Sequence, residues 1–311
     1  MILITGATSF VGRAVVARLA AEHREVRCLL RPSPREQRLA TGIPFSTVSA
    51  SMGDLPALRT SMQDVTAIVH LSGEEDLDRG ETLRSHVEDT INLINAAQET
   101  SVRRFIYLSR LGANRTSAYP LFRAKGEAEA AVRESGLDST ILQAPLVYGP
   151  DDVSTNVLVM LAKMTPFVLP IPGAGLSRFQ PLWVVDLATC IVATLERDVL
   201  IGQTIPLGGP EHFTFEQIVA QVLAAAGMRR RLIHVRMPLI QGAIMLGDAL
   251  LPYNPVPVWW LDLLNVGGAT ELGTIPHHYG FEPCRFSQCL DHLRHKRPWR
   301  RDLVRFVLGR P

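Results

Sequence analysis

The first 31 residues constrain the fold most, because two apolar runs flank a glycine-containing turn and a helical pattern. Residues 1–5 carry no charged side chain, which is typical of a strand buried on both faces. The turn from Gly6 to Gly12 follows, and apolar residues then recur at helical spacing until the second run at 26–30. Strand, glycine turn, helix and strand form the unit that holds a pyrophosphate at the helix N-terminus.

The turn itself differs in one position from the usual glycine pattern. Gly6 permits the tight turn, and Gly12 lets the helix approach the sheet closely. The middle glycine, which normally leaves bare backbone for the phosphate, is Ser9 here. We interpret the segment as a dinucleotide site; the alternative, a domain of this fold that no longer binds nucleotide, stays open because of Ser9.

The residue that ends the second strand is Arg31, where an acidic residue normally accepts from a ribose 2′-hydroxyl. An arginine pairs instead with a 2′-phosphate, and Arg35 adds a second cation. We therefore expect NADP(H), with NAD(H) less favoured. The alternative is a pair of solvated surface arginines in a chain with 32 Lys and Arg residues.

Short apolar strands alternate with helical patterns through the first half of the chain. Predicted strands cover 45–49, 66–71, 104–109 and 139–142, and predicted helices cover 81–100 and 121–135. This alternation predicts an α/β fold with a doubly wound, Rossmann-type parallel sheet. For 311 residues we expect a nucleotide-binding domain at 1–150, with 179–207 packed back on it, and a smaller, partly interleaved α/β substrate or partner domain at 151–311.

Candidate site residues fall where the predicted strands end. Ligands of doubly wound sheets lie outside the carboxyl ends of the strands. The Gly6–Gly12 turn, Arg31, Asp54, Ser72-Gly73 and Ser109 all stand at such ends. A loop carboxylate such as Asp54 can accept from an adenine amino group, although a turn-forming or capping role fits it equally well.

Several motifs resemble the atypical short-chain dehydrogenase/reductase family, in particular its NmrA-like branch and the nucleotide-binding accessory subunit of respiratory complex I. TGATSFVG is similar to the family's TGATGFVG, MGDL to its GDL, and YLSRLGA to its YLSALGA. SGLDSTILQAPLVYGPDD, QPLWVVDLA and LGGPEHFT match further family patterns over nearly the whole chain.

The resemblance implies a set of cofactor-binding and catalytic residues. The pyrophosphate would contact Gly6, Thr8, Ser9, Phe10, Val11 and Gly12. Arg31 would face the 2′-phosphate, and Asp54 and Leu55 the adenine. The nicotinamide side would be formed by Leu71, Ser72, Gly73, Ser109, Lys125, Pro145, Leu146 and Val147.

The family's catalytic Tyr-x-x-x-Lys pattern is broken here. Leu121 stands four residues before Lys125, so the phenol that would share a helix face with the ammonium is missing. Tyr119 is six residues away, before Pro120, and reaches the cleft only from the loop. We take Lys125, Ser109 and Tyr119 as the candidate catalytic residues, with Tyr148 as a weaker proton donor.

Composition adds few constraints. The net charge is +2 and implies no special partner. Cys28, Cys190, Cys284 and Cys289 lack metal-ligand spacing, so we expect reduced thiols, no metal and a cytoplasmic protein. We also expect no signal peptide and no transmembrane segment.

The last 18 residues, 294–311, form a basic and apolar tail. It carries seven Lys or Arg residues and one acid, interleaved with Trp299 and aliphatic side chains. Such a segment is typical of a helix that contacts an anionic membrane surface or an acidic partner. Contact with a membrane would place the protein at the membrane periphery. Nucleic acid is the least favoured partner. The alternative is a C-terminal helix docked by its apolar side.

Three function classes remain. The chain is an NADPH-dependent oxidoreductase or epimerase-like enzyme on a small apolar substrate, a regulator that senses NADP(H), or an accessory or assembly subunit that keeps the nucleotide. Leu121 counts against the enzyme, and the basic tail favours the other two. Our hypothesis is an NADP(H)-binding protein with a regulatory or accessory role.

Overall fold

A computed structural model describes residues 1–32, 39, 42–71, 83–165, 167–250 and 259–294, without the side chains of Asp248, Leu250 and Trp259. Its strands in chain order are β1 (Ile2–Thr5), β2 (Val26–Leu30), β3 (Ser46–Ser49), β4 (Ala67–His70), β5 (Arg104–Arg110), β6 (Asp138–Ala144), β7 (Val147–Tyr148), β8 (Val168–Pro172), β9 (Arg178–Phe179), β10 (Leu182–Trp183), β11 (Thr204–Pro206), β12 (Phe213–Thr214) and β13 (Arg231–Val235).

The helices separate most of these strands. They are α1 (Phe10–Ala21), α2 (Leu55–Ser61), α3 (Leu83–Gln98), α4 (Pro120–Glu134), α5 (Val153–Met164), α6 (Val184–Thr194), α7 (Phe215–Ala225), α8 (Met237–Leu250), α9 (Trp259–Val266) and α10 (Thr274–Tyr279). Within the described residues no helix is long and apolar enough to cross a membrane.

Seven parallel strands form the central sheet, in the order β11-β6-β5-β4-β1-β2-β3. The strand order reverses next to β1, since β1 pairs with β2 on one side and β4 on the other. The carboxyl end of β1 is therefore the switch point at which such sheets bind ligands. The predicted doubly wound α/β fold is confirmed.

Strand alternation divides the core into two layers. Leu3, Ile68, Phe105 and Tyr107 point to one face, where they pack with apolar residues of α2, α3 and α4. The intervening strand residues point to the opposite face, and α1 packs against α6. Both faces are thus buried, as uncharged strands such as β1 require.

The chain divides into two compact units. Unit 1 consists of 1–144, 184–207 and 274–281, and unit 2 of the remaining described residues. In unit 1, the buried Arg104 donates hydrogen bonds to the carbonyl oxygens of Asp138 and Thr194, which ties α6 to the sheet. Thr194 Oγ1 is also 2.8 Å from the Tyr279 hydroxyl, which joins α10 to α6.

Unit 2 is built from α5, α7 and a parallel pair of strands, β8 and β13. Its aromatic cluster has Tyr148 at the centre, with the Phe286 ring at 4.7 Å and the Trp183 ring at 5.3 Å. The capping box of Thr214 and Gln217 begins α7.

The prediction of four reduced cysteines is wrong for two of them. Cys284 and Cys289 form a disulfide, because the single turn at Phe286–Gln288 brings their Cα atoms to 6.6 Å. Cys28 and Cys190 are free and buried, and burial raises the pKa of the Cys28 thiol to about 11.

A candidate nucleotide site at the carboxyl ends of the strands

The turn after β1 depends on its two glycines. Gly6 has φ +70°, a conformation that L side chains rarely adopt. A Cβ on Gly6 would overlap the carbonyl oxygen of Leu71, and one on Gly12 would overlap that of Gly6. The backbone of the turn and the start of α1 are therefore packed directly against each other, as a phosphate-binding turn requires.

Ser9 occupies the middle glycine position without strain. Its φ and ψ are −69° and 166°, and its hydroxyl accepts a hydrogen bond of 3.0 Å from the Gly12 N–H. Ser9 is thus the N-cap of α1. The first N–H groups of a helix lack intrahelical partners, so those of Phe10 and Val11 are candidate donors to an anion.

Arg13 is a neighbour of the turn that the sequence motif did not single out. Its guanidinium donates a 2.8 Å hydrogen bond to the carbonyl oxygen of Thr8. The neighbouring residues of the turn are half-buried, namely Thr8, Phe10 and Val11. A positive side chain therefore lies beside the turn in addition to the positive end of α1.

Arg31 lies directly after β2 and pairs with an acid from another element. Its Nη2 is 3.5 Å from Oδ2 of Asp89 on α3, and the two side chains are 33% and 18% exposed. The expected acid at the end of β2 is missing, but Asp89 places a carboxylate at the same point. Sequence motifs did not indicate Asp89, because α3 brings it there through packing.

The predicted adenine-side residues are partly described. Asp54 is the N-cap of α2 and accepts a 3.0 Å hydrogen bond from the Ala57 N–H, so the capping alternative holds for one carboxylate oxygen. Leu55 begins α2, and Leu71 is buried against Gly6. Arg35, Ser72 and Gly73 lie outside the described residues.

A buried chain of polar groups lies beneath the turn, and the sequence reading missed it. Thr5 Oγ1 is 2.6 Å from Nδ1 of His70, and His70 Nε2 is 3.0 Å from Thr90 Oγ1. Because Thr90 donates its own proton to the His86 carbonyl oxygen, it accepts from Nε2. We therefore assign the His70 proton to Nε2, with Nδ1 accepting from Thr5.

His70 stays neutral in the folded protein. Its pKa is lowered to about 3, mainly by burial and in addition by the positive charges of Lys125 and Arg31. The sequence carries one signal for this polar network, because a histidine ends the otherwise apolar β4. The network fixes the ends of β1 and β4, the two strands that flank the turn.

Lys125 and Ser109 lie on the same side of the sheet. Lys125 is 2% exposed on α4, and its Nζ is 5.9 Å from the centre of the Tyr107 ring. Ser109 follows Tyr107 by two residues on β5 and so shares its face. The buried Ser109 Oγ has no hydrogen-bond partner among the described residues, a state that is rare for a buried hydroxyl.

The proton donor expected beside Lys125 is replaced by an apolar side chain. Leu121 is 2% exposed and belongs to the buried side of α4. Tyr119 is the N-cap of α4, makes no capping hydrogen bond with its side chain, and has its ring 6.4 Å from that of Phe122. Tyr148, the weaker candidate, is fully buried in the aromatic cluster of unit 2.

The model of a known protein family matches this chain. The model, described as NAD(P)H-binding, matches residues 6–168, just over half of the chain. The chain belongs to the NAD(P)H-binding family. The match begins at Gly6, the first residue of the turn, and continues into unit 2.

Curated relatives of this NAD(P)H-binding protein include a complex I subunit and a reductase. The chain is 28% identical to NADH dehydrogenase (ubiquinone) 1 alpha subcomplex subunit 9 of Arabidopsis thaliana, over 87% of this chain and 69% of the relative. It is also 28% identical to ceramide reductase of Caulobacter vibrioides, over 88% of this chain and 84% of the relative. The predicted resemblance to atypical dehydrogenase/reductases and the complex I subunit is confirmed.

A solved structure supports the same fold. NADPH-dependent quinone oxidoreductase of Escherichia coli, complexed with NADPH, has a TM-score of 0.73 and 21% identity, over 95% of this chain and 100% of its own. At that identity the likeness concerns the fold of this NAD(P)H-binding protein.

The remaining predicted site residues belong to unit 2. Pro145 is buried after β6, Leu146 accepts a hydrogen bond from the Leu182 N–H, and Val147 pairs with Leu182 in β7. Their position beside a nicotinamide stays a prediction. Within the described residues no cluster of three His, Cys, Asp or Glu side chains is arranged to hold a metal ion.

Proposed function

We propose that this protein binds NADP(H) tightly and uses it in a regulatory or accessory role. The observation that carries the proposal is the turn after β1, where Ser9 caps the Gly12 N–H and the N–H groups of Phe10 and Val11 remain as candidate donors to a pyrophosphate. In such a site the nucleotide supplies hydride chemistry when bound, whereas the protein contributes backbone donors, charge and shape.

The preference for NADP(H) is supported by Arg31. Its guanidinium is one-third exposed at the end of β2, within reach of a group bound there. A 2′-phosphate carries more negative charge than the single carboxylate of Asp89, and arginine binds phosphate with two parallel hydrogen bonds. We infer that the phosphate displaces Asp89 from Arg31 when NADP(H) binds.

The accessory role is supported by the missing phenol and by one relative. Leu121 has no proton to give, so the usual route of proton transfer in the family is closed. The relative named as a subunit of NADH dehydrogenase is a precedent for a chain of this family inside a larger assembly. Membrane-peripheral binding by 294–311 stays a prediction, since 295–311 lies outside the described residues.

An active oxidoreductase is the second candidate. The buried Ser109 hydroxyl, which has no hydrogen-bond partner among the described residues and lies on the same face as Lys125, is available to a substrate oxygen. The relative named ceramide reductase extends the precedent to reduction. In this alternative Tyr119 or a water molecule delivers the proton.

Titration with NADPH and NADH, followed by nicotinamide fluorescence, tests the cofactor preference. NADPH should bind more tightly, and Arg31→Ala should remove most of the difference. The loss of a charge-assisted, bidentate contact costs about 1.5–3 kcal/mol, roughly tenfold to a hundredfold in affinity.

Arg84→Ala is the matched control, because Arg84 is an exposed arginine on α3 that pairs with Glu88. It should leave both affinities unchanged. Equal affinities of the parent protein for the two nucleotides would contradict the preference. Mass spectrometry of nucleotide released from the purified protein gives the identity of the bound species independently.

A further inference from the structure

Helix α8 of unit 2 is apolar, and its outer face is exposed in the part of the chain that the structure describes. Its inner side is formed by Met237, Ile240, Ile244 and Gly247, which recur at helical spacing and are buried or half-buried. The outer side carries Leu239, Met245 and Leu246, which are 66%, 63% and 60% exposed. Three large apolar side chains on one exposed helix face are uncommon in a monomeric protein surface.

The strand pair that precedes α8 extends this apolar surface. Leu169 and Leu232 point inward to the core with α7, so their neighbours point outward. Val168 and Ile233 are 38% and 43% exposed, and Phe167, just before β8, is 82% exposed. Since β13 leads into α8 through Arg236, the two exposed areas adjoin in the chain.

Positive charge accompanies the apolar surface. Between Met228 and Gly247 the chain has four arginines and no acidic residue. Arg230 is anchored by hydrogen bonds to the carbonyl oxygens of Ala162 and Thr165. Arg229, Arg231 and Arg236 are exposed, and none has a carboxylate within 4.0 Å among the described residues.

We propose that α8 and the outer face of β8 and β13 form a docking surface for an anionic lipid bilayer. An interfacial helix needs an apolar face in the acyl boundary and cations at the headgroups. The exposed leucines and methionine supply the first, and Arg229, Arg231 and Arg236 supply the second. At 14 residues, about 21 Å, α8 is too short to cross a hydrocarbon core of about 30 Å.

A bilayer fits this surface better than a folded partner does. The arginine side chains are exposed and unpaired within the described part of unit 2. They can therefore pair with negatively charged headgroups in many geometries. The outer face of α8 is a single convex helix with small residues such as Gly242 and Ala243 between its large ones. This proposal is independent of nucleotide binding.

The experiment uses the full chain in co-sedimentation with vesicles. Vesicles of phosphatidylcholine alone are compared with equal parts of phosphatidylcholine and phosphatidylglycerol, at low salt and at about 0.5 M salt. Binding should require phosphatidylglycerol and weaken with salt. Single changes of Arg229, Arg231 or Arg236 to Gln should each reduce it roughly fivefold. Arg103→Gln, an exposed arginine of unit 1, should have no effect.

The apolar contribution is tested by Leu239→Asp combined with Leu246→Asp. The double variant should lose at least about tenfold in binding. Val199→Asp, at a side chain of unit 1 that is 73% exposed, should bind like the parent. Circular dichroism checks that each variant is folded, and the arginine variants change exposed side chains without buried contacts.

Three results would overturn the proposal. One is that the parent does not bind anionic vesicles at low salt. The second is binding that persists in the double aspartate variant and disappears only when 295–311 is deleted. The third is self-association of the parent in sedimentation velocity that Leu246→Asp abolishes, which would make α8 an interface between two copies of the chain.

Discussion

At the scale of single residues, the proposed preference for NADP(H) depends on the pair of Arg31 and Asp89. Arg31 was predicted from the sequence because the end of a strand can be located from its apolar run. Asp89 was not, since it reaches Arg31 only through the packing of α3 against the sheet. The contact of 3.5 Å between partly exposed groups contributes little to stability. We expect its effect to be on cofactor selectivity.

Asp89→Asn should therefore increase the ratio of NADPH to NADH affinity by about two- to fivefold. The change removes a carboxylate that competes with the 2′-phosphate for Arg31. Fluorescence titration with both nucleotides measures the ratio. Glu88→Gln, at the neighbouring position on α3, is the control and should leave it unchanged. A lower ratio in Asp89→Asn would mean that Asp89 orients Arg31 for the phosphate instead.

At the scale of elements, α4 carries Leu121 and Lys125, the two positions on which the proposed loss of proton transfer depends. The Tyr-x-x-x-Lys comparison identified Leu121 and Lys125 without a structure, because positions four apart share a helix face. The buried state of both residues confirms that face. The lack of a hydrogen-bond partner for the Ser109 hydroxyl among the described residues could not be predicted from the sequence. Hydrogen bonding depends on which groups the fold places around a side chain.

The parent protein should bind NADPH but oxidise it slowly with any carbonyl or enone substrate. Loss of a general acid typically reduces a rate by about a hundredfold to ten-thousandfold. Lys125→Ala should weaken NADPH binding, and Tyr119→Phe should leave binding and rate unchanged. Leu121→Tyr tests whether a phenol restores turnover. Rapid oxidation by the parent that Tyr119→Phe abolishes would favour the enzyme over the accessory role.

At the scale of the whole molecule, two buried histidines link stability to pH. Unfolded His70 takes up a proton near pH 6.5, whereas burial holds the folded pKa at about 3. The unfolded state therefore binds more protons between these values, and stability falls as the pH falls through that window. His86, whose pKa burial also lowers, acts in the same direction.

Proton uptake by each histidine in the unfolded state should lower the free energy of unfolding by about 1.4 kcal/mol for each pH unit below 6.5. His70→Gln should remove about half of this pH dependence between pH 7.5 and 5. The measurement is the free energy of unfolding in urea at each pH. Identical slopes in the parent and in His70→Gln would refute the neutral assignment of His70.

The sequence predicted the sheet well, because its strands depend on local patterns. Apolar runs such as β1 and the turn at Gly6 are readable residue by residue. The Cys284–Cys289 disulfide and the Thr5–His70–Thr90 chain were missed, because they depend on which residues folding brings together. The exposed face that α8 shows among the described residues could not be told from core by its composition, since an apolar helix is more often core.

The order of the chain in unit 1 has a consequence for biosynthesis. The edge strand β11 pairs with β6, and α10 joins α6, yet 60 residues separate Thr140 from its partner Leu200 and 85 separate Thr194 from Tyr279. A ribosome adding about 5–20 residues per second needs roughly 3 to 12 s to make the chain from the end of β6 to the end of β11. For that time the nascent sheet ends in an unpaired strand, and a chaperone has its longest opportunity to bind there.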